Sequence, residues 1–259
     1  MPTLSTMMAN VADGLLKQRK PQVLQDYAAQ VAGNLHKRAT DLFDLNEVHQ
    51  YQGAGTNHCG PTTLAMIINA MLGEQGYDCK TVNYYDLQDV MQKGSLAFGL
   101  TGYRLNTDLF QEVKIGDNIS GATMPWGLEQ AFKDFSAGLK RSGGPDLGTA
   151  TFAEEGTKQD LIDNLNNDYK TAIMLVWPNN GGAHWVAVAD YDAATDTFFL
   201  LDPANPKDEL SKMPWAELSE HWSRPLGVTN LPDLPFLDEE SLTDLLTLEG
   251  VIITFKPES

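Results

Sequence analysis

Up to about residue 169 the apolar positions of this chain recur at helical spacing, and beyond it they gather into short unbroken runs. Val23, Leu24, Tyr27, Val31 and Leu35 line one face of a helix opened by Pro21. Leu64, Ile67, Ile68 and Met71 repeat the pattern in a second helix that begins near Cys59, with Pro61 suited to a first helical position and Gly73 to its close. Residues 84–93 predict a third helix, Pro125 opens a fourth, and Leu161, Ile162 and Leu165 mark another over Lys158–Tyr169. Gly138 to Gly148 reads as loop, as do the glycine-rich stretch Gly94–Gly102 and the chain on to Gly121. Residues 1–20 carry only a weak helical pattern.

The later runs are Thr171–Trp177, Ala183–Tyr191 and Thr197–Asp202, separated by the turns Pro178–Gly182 and Asp192–Asp196. They predict consecutive antiparallel strands. Lys212–Trp222 predicts a short helix against the sheet, proline-punctuated chain follows, and Leu248–Phe255 predicts a last strand at the sheet edge. Helices first and antiparallel strands afterwards make an α+β fold. There is no internal repeat or linker, so one main domain is expected over 46–259, with a C-terminal extension. Residues 1–45 form a helical arm, either packed on that domain or lying across a cleft as a pro-segment.

Composition narrows the function classes. The 259 residues carry 18 basic and 35 acidic side chains, a formal charge of −17. Nucleic acid and anionic membrane surfaces are therefore poor partners. The excess is uneven: Lys17, Arg19, Lys20, Lys37 and Arg38 face only Asp13 and Asp26 in the first forty residues, whereas the chain from Asp202 onward is strongly acidic. Two cysteines, Cys59 and Cys79, make no disulfide scaffold, and Cys and His are not spaced for structural zinc. No apolar run approaches the roughly 18 residues of a membrane span, and Asn10, Asp13 and Gly14 interrupt any signal-peptide core. A cytoplasmic location is expected, with non-classical export left open, and no metal or organic cofactor is expected: Asp190, Asp192 and Asp196 lack the remaining signature of a calcium loop. The oligomeric state is not legible.

The candidate chemistry starts at Gln52-Gly-Ala-Gly-Thr-Asn-His-Cys59-Gly-Pro. A thiol on the first turn of a helix meets unpaired N–H groups and the positive end of the helix dipole, which favour a thiolate. The alternative is a small buried cysteine with no chemistry. Cys79, between Asp78 and Lys80 and with neither a helix start nor a nearby histidine, reads as structural. A nucleophile needs a base, and the base an orienter. His36 and His49 lie in the amino-terminal region, His58 adjoins Cys59 with its side chain pointing away, and His221 sits in a surface helix. His184 follows Gly181-Gly182 at the start of an apolar strand and is the candidate base, the alternative being a core histidine paired to a carbonyl. Asp202 ends the adjacent strand of the hairpin, where its carboxylate can accept Nδ1–H of His184; the alternative is a strand-ending Asp-Pro turn. Asp190 lies six residues along the His184 strand, roughly 20 Å away at ~3.3 Å per residue. Asn205 would serve if the register shifted.

The set Gln52…Cys59-Gly-Pro-Thr-Thr-Leu-Ala-Met, Gly-Gly-Ala-His184-Trp-Val-Ala-Val and Phe-Phe-Leu-Leu-Asp202-Pro, in that order, resembles the C39-like branch of the papain-like cysteine peptidases over roughly residues 46–222. The resemblance implies a papain-like fold with the nucleophile helix packed on an antiparallel sheet. It also implies Cys59 as nucleophile, His184 as general base and acid, Asp202 as orienter, and an upstream glutamine completing an oxyanion hole with the Cys59 N–H. The family places that glutamine six residues before the cysteine, whereas Gln52 is seven before; Gly53 and Gly55 can absorb the extra residue, and Asn57 and Gln50 are the alternatives. The expected activity is hydrolysis of a peptide or amide through an acyl-thioenzyme. The same apparatus could pass the acyl group to an amine, as an acyltransferase or transglutaminase-like enzyme would. A non-catalytic peptide-binding module or an exported effector would use the same scaffold.

Overall fold

Six antiparallel strands form the sheet, in the order β2-β8-β3-β4-β5-β6, and the helices pack on both of its faces. The computed structural model describes residues 20–38, 44–53, 56–95, 103, 114–115, 123–177, 182–207, 209–224, 228–229 and 248–258. The expectations for residues 1–19, for most of the 96–122 connection, for the turn at 178–181 and for most of the proline-punctuated stretch 225–247 lie outside the described residues. In chain order the elements are α1 (Pro21–Asn34), a 3₁₀ turn (Leu45–Val48), α2 (Cys59–Glu74), α3 (Tyr84–Gly94), β1 (Lys114–Ile115), α4 (Pro125–Arg141), β2 (Thr149–Ala153) and α5 (Lys158–Asn166). They continue with β3 (Lys170–Val176), β4 (Ala183–Asp192), β5 (Thr197–Leu201), β6 (Ser211–Pro214), α6 (Trp215–Trp222), β7 (Val228–Thr229) and β8 (Ile252–Lys256). β1 and β7 make a separate two-stranded ribbon.

The helix beginning at Cys59 was expected to show one apolar face; instead every residue from Gly60 to Gly73 is buried. α3 and α4 pack against it, with α1 in turn on both of them, and it lies on the sheet against β3 and β4. Its polar residues are therefore paired inside: Asn69 accepts the Val82 N–H and donates to the Val82 carbonyl, at 2.9 and 2.8 Å. Buried polar groups persist only when they are partnered in this way. The unbroken apolar run of β3 has the same origin. Ala172, Met174 and Val176 join the core under α2, while Ile173 and Leu175 join a second cluster with Leu161 of α5 and Leu218 and Trp222 of α6. A strand covered on both faces needs apolar residues at every position. α1 contributes Leu24, Tyr27, Ala28 and Val31 to the α2 core.

Three expectations are corrected. The last strand is not an edge: β8 lies between β2 and β3, with Thr254 opposite both Thr151 and Thr171. Ile252 feeds one core, and Ile253 and Phe255 the other, so both faces need cover. The edge is β2, where Thr149, Thr151 and Ala153 are exposed and which the sequence pattern does not reveal. Residues 211–214 form strand β6 on β5, and the helix predicted from Lys212 starts at Trp215. Pro214 suits that junction, ending a strand and holding the φ of −57° needed ahead of the helix.

The predicted loop from Gly138 is still α4, which runs to Arg141. Gly138 lies where α4 crosses α1: a Cβ there would stand 2.6 Å from the Gln25 Cα and 2.9 Å from its carbonyl oxygen. Glycine is kept here for contact, not for flexibility. Gly138→Ala, which in an open helix would gain about 1 kcal/mol, is expected to lose about 1–3 kcal/mol to overpacking. Chemical denaturation monitored by circular dichroism measures the sign directly.

Candidate functional site

Cys59 opens α2 as its first helical residue, after His58 in the capping position. Pro61 stands third in the helix, not first; its missing N–H is still one of those without an intrahelical partner, so the first turn tolerates it. Two contacts fix this turn in the molecule. Gly60 lies flat against Thr123, whose Cβ would be 2.5 Å from any Cβ added to the glycine. One turn on, the Thr63 hydroxyl donates to the carbonyl of Trp185 at 3.0 Å, and the Trp185 indole N–H donates to the Thr123 carbonyl at 2.8 Å. The start of the cysteine helix is thereby bolted to the strand residue that follows His184.

His184 and Asp202 stand at the end of the β4–β5 hairpin, and Nε2 of the imidazole lies 2.7 Å from the Asp202 carboxylate. The expected partner nitrogen was Nδ1. With Nε2 taken by the carboxylate, Nδ1 is the ring nitrogen left for the hydrogen bond between His184 and the Cys59 thiol. Asp202 is held in turn by the Ala204 N–H at 2.8 Å.

The charges of the three groups depend on one another. Burial pushes the Cys59 thiol up, but the hydrogen bond and positive charge of His184, with N–H groups of Trp185 and Gly60, hold it below its ordinary value. Burial pushes the imidazole down, yet Asp202 and the thiol raise it well above a usual histidine. Burial also pushes the Asp202 carboxyl up, and His184 and the Ala204 N–H bring it below the usual carboxylate range. All three shifts run toward the charged forms: thiolate, imidazolium and carboxylate.

Gln52 is buried, its main-chain N–H donates to the Pro203 carbonyl at 2.9 Å, and its side-chain oxygen has no partner among the described residues. Gln50 is committed elsewhere, donating to the Val82 carbonyl and accepting the Tyr84 N–H, each at 2.9 Å. Asn57 is half-buried two residues before Cys59. Asp190 is exposed on β4, where it accepts the N–H of Tyr191, and Asn205 is used within its own turn by Glu209, Ser211 and Lys207. His58 turns toward Tyr84, ring centroids 6.3 Å apart. Cys79 is buried against Arg38 and Glu47, and burial raises its thiol.

Two residues escaped the sequence reading. Trp177 sets its indole edge-on to His184 at 5.9 Å and stacks on His221 at 4.8 Å, placing an apolar ring beside the imidazole. His49 bonds through Nε2 to the main-chain carbonyl of Asp202 at 3.0 Å. No local pattern announces either, because each acts on a partner distant in sequence. His49 also lines a cleft of about 560 Å³ between residues 46–51 and 79–85, which Cys59, His184 and Asp202 do not line.

A model of the Peptidase_C39 like family matches residues 44–227, more than half of the chain. The chain belongs to this family. No curated protein matches it. Among solved structures it is similar to a candidate C39-like peptidase from Bacillus anthracis, with 14% identity and a TM-score of 0.49 over 83% of this chain and 97% of that one. Membership in the Peptidase_C39 like family supports a function of the cysteine-peptidase type, a hydrolase with a peptide substrate. The expected α+β architecture holds as well, with a cysteine-bearing helix lying on an antiparallel sheet. Among the described residues no helix is long and apolar enough to cross a membrane.

The directions of the shifts set the pH behaviour. A lowered thiol is ionised before a free one, and a raised imidazole keeps its proton beyond the ordinary histidine range. Alkylation of Cys59 by iodoacetamide, followed by peptide mass spectrometry, should have its midpoint below the free-thiol value of about 8.5. In His184→Ala the midpoint should move upward, because burial is then opposed only by the N–H groups of Trp185 and Gly60. A wild-type midpoint at or above it would mean that no such ion pair forms.

Proposed function

We propose that the chain is a cysteine hydrolase of peptide or amide bonds. The arrangement that carries this reading is the hydrogen-bonded row of Cys59, His184 and Asp202 at the start of α2 and the end of the β4–β5 hairpin. The Cys59 thiolate attacks the carbonyl carbon, the C–S bond forms and the C=O π electrons move to oxygen. His184, already protonated, gives its Nδ1 proton to the departing amine as the C–N bond breaks, leaving an acyl-thioenzyme. Neutral His184 then takes a proton from water, hydroxide adds to the thioester, and the thiolate leaves as the acid is released. Asp202 on Nε2 fixes the ring orientation and stabilises the imidazolium in both halves of the cycle.

The developing oxyanion needs donors. In our reading the Cys59 N–H supplies one, at a helix N-terminus where its own pairing is open, and the Gln52 amide supplies the other. Gln50 is the weaker alternative because both ends of its amide are taken. We place the hydrolase in the cytoplasm. We also read the N-terminal arm as joined to the fold through α1, whose apolar residues lie in the same core as those of α2.

Three measurements test these statements. Cys59→Ala should abolish turnover of a peptide library, and Gln52→Ala should lower kcat by about 10²–10³. Mass spectrometry of the products with and without added amine separates hydrolysis from acyl transfer: free acid is expected, and a predominance of amine adducts would replace the hydrolase with a transferase. Deleting residues 1–45 should give insoluble protein, whereas a soluble and more active product would identify an inhibitory segment.

A further inference from the structure

Two hydrogen bonds join the same two short segments beside the candidate site. The His49 ring lies 3.0 Å from the Asp202 main-chain carbonyl, and the Gln52 N–H lies 2.9 Å from the carbonyl of the next residue, Pro203. A carbonyl only accepts, so Nε2 of His49 must carry its proton and donate. The His49 side chain is 9% exposed, and its own N–H is tied back to the Asn46 carbonyl at 3.3 Å, which anchors the residue at the end of the 3₁₀ turn. The turn that bears Asp202 is therefore gripped at two successive carbonyls by the segment that bears Gln52. Beyond that turn, the Asn205 N–H closes onto the same Asp202 carbonyl at 3.0 Å, and the Ala204 N–H holds the carboxylate.

We propose that His49 is a positioning residue: by donating to the Asp202 carbonyl it fixes the carboxylate against His184 and couples that carboxylate to the Gln52 loop as one mechanical unit. The proposal rests on the hydrolase reading but concerns a residue that touches no reacting atom. A carboxylate orients an imidazole only while its own backbone is held, and the turn after β5 is irregular chain with no sheet partner at Asp202. A strand ladder cannot supply the restraint there, so a side chain does. The donor comes from 153 residues earlier in the chain, out of the loop that carries the proposed oxyanion donor. A shift of either segment would thus be transmitted to the other, and the base and the oxyanion hole would be assembled or lost together.

The test compares His49→Leu, which removes the donor, with His49→Gln, whose longer amide can restore it. Turnover, the pH midpoint of Cys59 alkylation and thermal stability are measured on each full-length variant. His49→Leu is expected to lower kcat by about three- to ten-fold, the worth of one net hydrogen bond, with KM nearly unchanged and the alkylation midpoint moved upward. His49→Gln is expected to recover most of both. If His49→Leu does not fold, His49→Asn, whose shorter amide falls short of the carbonyl, takes its place in the comparison with His49→Gln. Loss of thermal stability with kcat and the alkylation midpoint unmoved would overturn the proposal and leave the hydrolase reading intact. A wild-type protein whose Cys59 alkylates as an ordinary thiol would instead remove the hydrolase reading itself, a separate result.

Discussion

The position of Cys59 depends on one hydrogen bond between a helix and a strand, from the Thr63 hydroxyl to the Trp185 carbonyl. α2 is apolar on all sides, so hydrophobic burial alone would accept many rotations and shifts of it within the core. A directional bond does not accept them. With Thr63 fixed, Cys59 is placed one turn earlier on the same helix, and Trp185 places His184 at the next residue of β4. The Thr123 contacts act from the opposite side, pressing on Gly60 and accepting the Trp185 indole N–H. Cys59 and His184 are thus held by elements whose placement is decided in the core.

Much of this was legible in the sequence because it is written in local rules. The Cys59 helix, the β3–β4–β5 hairpins and the Asp-Pro end of β5 all follow from period, turn residues and chain order. Errors arose where tertiary packing overrode the local signal. Gly138 looks like a loop residue because propensity counts a glycine against a helix, while the crossing with α1 requires one. β8 looks like an edge because it arrives last, whereas its two-sided apolar character marks a central position. Pairing of Asp202 with Nε2 was missed because residue spacing reports which strands are neighbours and says nothing of the side from which a ring is approached. His49 was set aside because its partner is a backbone carbonyl, which has no residue identity to recognise.

The electrostatics of the site are cooperative in a strict sense. Taken one at a time, burial drives each of the three groups toward its neutral form: a protonated thiol, an unprotonated imidazole and a protonated carboxyl. The imidazolium between them favours the charged form of each anion, and the two anions together favour the imidazolium. Removing the middle group takes away the cation that favours both anions and lets burial push the thiol back toward its protonated form, so the effect of losing His184 exceeds the loss of one proton carrier. Removing Asp202 strips the imidazolium of its counter-charge, and the proton then falls back to sulfur. The titration belongs to the set and not to any one residue.

That cooperativity explains why backbone restraint should matter as much as the side chains themselves. The attraction between charges falls with distance and rises steeply as water is excluded. A row of three whose charges favour one another therefore has a narrow range of workable geometry. The N–H of Ala204 on the carboxylate, the ring of His49 on the Asp202 carbonyl and the indole of Trp177 beside the imidazole each narrow that range without joining the row. Because the first two act through a turn that also carries the Pro203 carbonyl bound by Gln52, the electrostatic set and the proposed oxyanion donor share one support. In such an arrangement the thiolate should be most stable in the conformation in which the oxyanion donor is also in place, so the chain would not hold a charged nucleophile in a site that cannot stabilise its product.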